Sequence, residues 1–205
     1  MSVKKRIYRS EIRAAAADET RTRILIAARE VLGAGKGAPV FSLDAVARQA
    51  GVTRLTVYNQ FGSKRGLLEA LFDALAQEGG LFELHAVFAQ ADVEQALRQF
   101  VSVFCRFWSR QGAVLPRFGA VARLDDEIAA SLKQRTERRR RALTVLVDRL
   151  MPGASRKKSD LIDTLFALTG FEMFHALSVR QRSRDAIEAI LQDLVADTVR
   201  RFTQR

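Results

Sequence analysis

SLDAVARQAGVTRLTVYNQFGSK, residues 42–64, is the stretch whose reading decides the fold. Leu43, Val46, Ala47 and Ala50 recur at helical spacing and mark one apolar face. Ser42 stands where a hydroxyl can cap that helix. Gly51 follows it, at a point where the chain needs left-handed geometry for a sharp turn. Thr53 is placed to cap a second short helix ending near Phe61, and Ser63 a third running through Leu67, Leu68, Leu71, Phe72 and Leu75. Two short helices around a tight turn, with polar and basic groups on the second, form the layout of a helix-turn-helix. That unit lays its second helix in the major groove of duplex DNA.

The residue types on the second helix divide by chemistry. Val52, Val57 and Phe61 are expected to face the preceding helices and set its angle. Thr53, at the positive helix N-terminus, and the hydroxyls of Thr56 and Tyr58 suit phosphate oxygens, which fix register without reading sequence. Arg54, Asn59 and Gln60 carry groups matched to base edges, Arg to guanine and Asn or Gln to adenine. Lys64 is placed to meet a flanking phosphate. The competing reading is an ordinary amphipathic helix in a bundle, with Gly51 as a turn residue and Tyr58 as a half-buried aromatic.

Charge leans the same way. The 205 residues carry a net charge of +11. Residues 1–66 hold 13 Lys/Arg against 5 Asp/Glu, and the rest hold 21 against 18, so the first third carries most of the excess. A polyanion partner or a plain solvated basic surface would each explain this. The apolar fraction, 48%, predicts a folded globular chain. No apolar run reaches the roughly 20 residues of a bilayer span. The start of the chain lacks the apolar core of a signal peptide, and the single cysteine, Cys105, has no internal partner. A cytoplasmic protein without membrane contact is expected.

Over a longer span the residues resemble the TetR-type transcriptional regulators. The resemblance runs from TRTRILIAAREVL through LDAVARQAGVTRLTVYNQFGSKRGLLEAL, about a quarter of the chain. It implies an N-terminal three-helix DNA-binding domain joined by a fourth helix to a larger helical domain. It also implies a homodimer on a pseudo-palindromic operator, usually as a repressor, and a small-molecule effector in the C-terminal domain. The positions matching the family's DNA contacts are Thr53, Arg54, Thr56, Tyr58, Asn59, Gln60 and Lys64. Asn59, Gln60 and Leu55 depart from residues frequent in the family, which leaves the operator sequence open.

The remainder reads as all-helical. There are three prolines and no Asn-Gly or Asp-Gly hairpin turns, and apolar residues recur at three- and four-residue spacing. Predicted helices cover 20–32, 92–110, 114–123, 125–150, 159–180 and 185–202, with a glycine-rich break at 33–40. The expected domains are a basic extension at 1–19, the DNA-binding domain at 20–66 and a regulatory and dimerisation domain at 67–205. Lys4, Lys5, Arg6, Arg9 and Arg13 form either a DNA-binding arm or a surface tail. The run Arg138–Arg141 points around its helix and reads as solvated surface.

Two further sites are expected in the C-terminal domain. Phe72, Phe100, Phe104, Trp108, Phe118, Phe171 and His175 are candidates for an aromatic effector pocket, against the alternative of ordinary core. Leu161, Leu165, Leu168, Ile187, Leu191, Leu194 and Thr198 recur along the last two helices, candidates for a four-helix dimer interface. An alternative is a regulator, repressing or activating, whose second domain only dimerises. Cys105 reads as a buried small hydrophobe. Two histidines, His85 and His175, and one cysteine are too few for a His/Cys-rich metal site. The glycines at 33–37 miss the phosphate-loop spacing. No enzyme, cofactor or metal is expected.

Overall fold

The computed structural model describes residues 2–34, 41–123 and 125–204, with backbone alone at 2–13. Among the described residues there are eleven α-helices, one 3-10 turn and no strand. The chain divides into two compact units. The first comprises Met1–Ala74 with Arg117–Ile128, the second Leu75–Pro116 with Ala129–Arg205.

In the first unit, α1 (Ser2–Gly33), α2 (Leu43–Ala50) and α3 (Arg54–Phe61) pack around Ile24, Ala28, Leu32, Val46 and Val57. They are followed by α4 (Lys64–Glu78), which adds Leu67, Leu68 and Leu71 to the buried set. Each short helix has its predicted start. The Ser42 hydroxyl accepts from the Ala45 amide at 3.2 Å, Thr53 from Thr56 at 3.1 Å and Ser63 from Gly66 at 3.0 Å. Gly51 takes φ 65°, which lets its amide and that of Val52 return to the last carbonyls of α2. The first helix begins at Ser2, not Thr20, so residues 2–19 belong to α1. The side chains of Lys4, Lys5, Arg6, Arg9 and Arg13, and residues 35–40 of the glycine-rich break, lie outside the described residues. In the same unit, Phe118 of α7 (Leu115–Ala122) meets Phe72 edge-on at 5.8 Å.

The second unit begins with a 3-10 turn at Leu81–Glu83 and α5 (Leu84–Ala89), both too short for apolar periodicity to reveal. Next, α6 (Val93–Gln111) starts at Asp92, whose carboxylate accepts from the Glu94 and Gln95 amides. It packs on α11 (Arg184–Thr203), which also packs on α9 (Arg156–Leu168). Leu143, Leu146 and Val147 of α8 (Asp126–Leu150) are fully buried.

The helix predicted over 159–180 is two, α9 and α10 (Phe171–Ser178), separated at Thr169-Gly170. Gly170 is extended, φ −77° and ψ 161°. Two side chains from other helices hold this break. Arg139 of α8 donates to the Phe166 carbonyl at 2.6 Å and the Thr169 hydroxyl at 2.8 Å, and Trp108 Nε1 donates to the Thr169 carbonyl at 3.0 Å. Carbonyls left unpaired at a helix end are thereby satisfied. Arg139 consequently departs from the solvated-run reading: it is 8% exposed. Its guanidinium lies over Phe166 at 4.0 Å, and burial pulls its pKa down to about 10, still charged at neutral pH. Arg140 lies over the same ring and pairs with Asp163.

The residues expected at a dimer face differ in how far their own chain buries them. Leu161, Leu165, Ile187 and Leu191 are at most 1% exposed within a single chain. Helical spacing marks a buried face but not what buries it, and here α11 packs on both α6 and α9. Leu168 and Thr198 are half-buried, and Leu194 is 37% exposed. Leu191→Ala is accordingly expected to lower the unfolding free energy by about 2–5 kcal/mol in urea denaturation at fixed protein concentration. A loss below about 0.5 kcal/mol would show that Leu191 is not core.

Candidate nucleic-acid interface

Helix α3 has eight residues, too few to be stable alone in water. It is held at three points. Val57 is completely buried. Thr53 caps its start, with its hydroxyl also 2.9 Å from that of Thr56. At its other end, Arg21 of α1 donates to the Gln60 carbonyl at 2.9 Å and lays its guanidinium 4.4 Å over the Phe61 ring. The contact between α3 and α4 is also close. A Cβ on Gly66 would sit 2.1 Å from the Phe61 carbonyl oxygen, so only glycine fits there.

The remaining surface of α3 faces solvent. Arg54, Leu55, Tyr58 and Asn59 are exposed and lie along one face at i, i+1, i+4 and i+5 spacing. Leu55 and Tyr58, at 65% and 56%, are among the most exposed large apolar or aromatic residues described. Thr56 and Gln60 are half-buried at the edges of this face, and Lys64 is half-buried at the start of α4. Two assignments are refined. The Thr53 hydroxyl works first as a helix cap. The Arg54 guanidinium is paired with Asp44 of α2 at 3.0 Å, an exposed pair that contributes little to stability. Next to Lys64, Arg65 is bound to Glu69 at 2.8 Å, which holds its pKa above the usual value.

This arrangement matches known proteins. Residues 24–71 match the family described as bacterial regulatory proteins, tetR family. The N-terminal domain is a TetR-family domain. Over 58 residues the chain is 52% identical to an uncharacterized HTH-type transcriptional regulator, TtgW, of Pseudomonas putida, covering 28% of this chain and 42% of that protein. It is 50% identical over 58 residues to the HTH-type transcriptional regulator SrpR, also of Pseudomonas putida, covering 28% and 27%. The matched segment thus spans less than half of either relative. A transcriptional regulator from Rhodococcus sp. Rha1 shares the fold over 90% of this chain and 98% of its own, with a TM-score of 0.67 and 18% identity. The fold of an N-terminal helix-turn-helix domain followed by a larger C-terminal helical domain is shared with that structure.

The aromatic residues expected at a pocket are divided between the two units. Phe72 and Phe118 belong to the first unit, and the other five to the second. Phe100 and Phe104, 4.7 Å apart, are buried core. Trp108, Phe171 and His175 line an open pocket of about 340 Å³, with Phe174, Ser109 and Arg182 also on its walls. Phe171 stacks on His175 at 5.5 Å and meets Trp108 edge-on at 5.8 Å. Cys105 is buried, and burial pushes its thiol pKa up to about 12, the nearby Glu188 charge adding to the effect. Burial thus favours the neutral thiol at physiological pH.

Arg21 is the functional residue that periodicity does not reveal. It sits beside the apolar face of α1, where an arginine ordinarily reads as solvated, and only the α1–α3 approach shows its role. Arg21→Ala is expected to lower the stability of the N-terminal unit by about 1–3 kcal/mol, because the Gln60 carbonyl loses a charged donor. Urea unfolding followed by circular dichroism measures this. No change would mean that α3 is held without the clamp.

Proposed function

We propose that this chain is a sequence-specific DNA-binding transcriptional regulator of the cytoplasm. It acts as a repressor, dimeric on a pseudo-palindromic operator, and a small effector in the second unit releases it. The observation that carries the reading is the exposed face of α3. A helix too short to stand alone is anchored through Val57, Thr53 and Arg21, while Arg54, Leu55, Tyr58 and Asn59 face outward. Arg54 and Asn59 would read base edges, with Gln60 beside them. Tyr58, Thr56 and Lys64 would meet phosphates, and Thr53 would offer its capped helix end. Leu55 suits a thymine methyl.

Helix α6 supports the effector part of the reading. Trp108, Ser109 and Gly112 line the pocket. The intervening residues hold the end of α4: Arg110 donates to the Glu78 carbonyl at 2.7 Å, and Gln111 to the Leu75 carbonyl at 3.3 Å. A ligand that shifts these two turns acts on α4, the helix that carries Lys64 at its other end.

Selection of bound fragments from random duplexes, followed by footprinting, tests the reading. A two-fold symmetric site is expected. Arg54→Ala and Asn59→Ala should each weaken it by about 1–3 kcal/mol and relax preference at single base pairs, without lowering the unfolding midpoint. Uniform weak binding to all fragments would reject sequence-specific recognition.

Of the seven residues first assigned to the dimer face, Leu168, Leu194 and Thr198 keep surface outside the single-chain core. Leu194→Glu is expected to give a folded monomer in sedimentation equilibrium and to lose the symmetric footprint. A variant that still sediments as a dimer would exclude this face.

A further inference from the structure

We propose that the pocket of the second unit takes a small aromatic carboxylate, held with its ring against Trp108 and Phe171 and its carboxylate on Arg182. The inference rests on the reading of this unit as an effector domain and names the chemistry of the effector. Three walls are aromatic: Trp108 from α6, and Phe171 and Phe174 from α10. The Phe171–His175 stack, with its rings 16° from parallel, presents a flat surface, and a volume of about 340 Å³ suits a ligand of one or two rings. Stacked and edge-on ring contacts fit an aromatic guest.

The polar side of the pocket is cationic. Arg182 and Arg184 lie on it, and no acidic residue is among its lining. Their roles differ. Arg184 is engaged by the Asp185 carboxylate through Nε at 2.9 Å and Nη2 at 2.6 Å. Arg182 donates to the Leu177 carbonyl at 3.1 Å, a neutral acceptor, and no carboxylate pairs with it among the described residues. The backbone is shaped to place it there. Gln181 has φ 56°, the one left-handed non-glycine position among the described residues. It turns the chain between α10 and α11 so that the next residue closes over the end of α10. Side chains with a Cβ adopt that region at a cost, and such positions concentrate at sites where geometry matters. A guanidinium binds a carboxylate through two parallel hydrogen bonds, whereas it gains little from a neutral amide. Ser109 offers a hydroxyl to the same guest.

Trp108 is the single tryptophan of the chain, so its emission reports this pocket alone. The full-length protein is titrated with benzoate, phenylacetate and 3-phenylpropionate, and in parallel with the corresponding amides. The acids should change Trp108 emission saturably, and the amides at least tenfold more weakly. Arg182→Gln should bring the acids down to the level of the amides, and Phe171→Ala should weaken acids and amides together. Circular dichroism establishes that each variant is folded. Equal affinity for acids and amides, an unaltered acid preference in Arg182→Gln, or no saturation by any acid would overturn the inference. A gel shift with the selected operator separates this outcome from the functional reading. Acids that saturate Trp108 yet leave the DNA complex intact uphold the pocket chemistry and reject effector release. Amides that release DNA as well as acids do overturn the pocket chemistry and uphold effector release.

Discussion

The N-terminal unit depends on the anchoring of an eight-residue helix. Nucleating so short a helix costs more than its own hydrogen bonds return, so tertiary contacts must hold it. Val57 supplies the apolar anchor, Thr53 the N-terminal cap and Arg21 a charged donor at the far end. These contacts use the inward face and the two ends, which leaves the outward face without a structural task. Leu55 and Tyr58 can therefore stand in solvent without weakening the unit. The close approach of Gly66 to the Phe61 carbonyl follows from the same constraint, because α4 must begin directly against the end of α3.

Local chemistry was legible in the sequence, and long-range chemistry was not. The caps at Ser42, Thr53 and Ser63 and the turn at Gly51 depend on neighbours within three or four residues, and they were readable from the order of residues. The division of α3 into an inward Val57 and an outward Arg54, Tyr58 and Asn59 follows from helical periodicity alone. Arg21 and Arg139 could not be read this way. Each is an arginine in a charged stretch, and each is engaged by a carbonyl 27 or more positions away. The apolar stripes on α9 and α11 show the complementary limit. Periodicity identifies a buried face but not what covers it, and Leu161 and Leu191 are already covered within their own chain.

The break between α9 and α10 shows how a buried charge can organise a helical unit. A glycine inside an apolar helical pattern is tolerated at modest cost, so Gly170 alone does not predict a break. Arg139 and Trp108 impose it from two other helices by claiming the carbonyls of Phe166 and Thr169. A buried guanidinium loses hydration, which is why its pKa falls, and carbonyl bonds together with the Phe166 ring offset that loss. The break turns the chain so that Phe171, Phe174 and His175 form one wall of the pocket instead of continuing α9.

Helix α6 then joins two tasks within the same two turns. Residues 108, 109 and 112 face the pocket, while residues 110 and 111 bond to carbonyls at the end of α4. A helix turn is stiff, so its two faces cannot move independently. Under the proposed effector reading, a guest that displaces Trp108 would bear on the turn that carries the buried Gln111 and its bond to the Leu75 carbonyl. Burial is what would make that bond matter: an exposed glutamine could exchange its partner for water at little cost, and a buried one cannot.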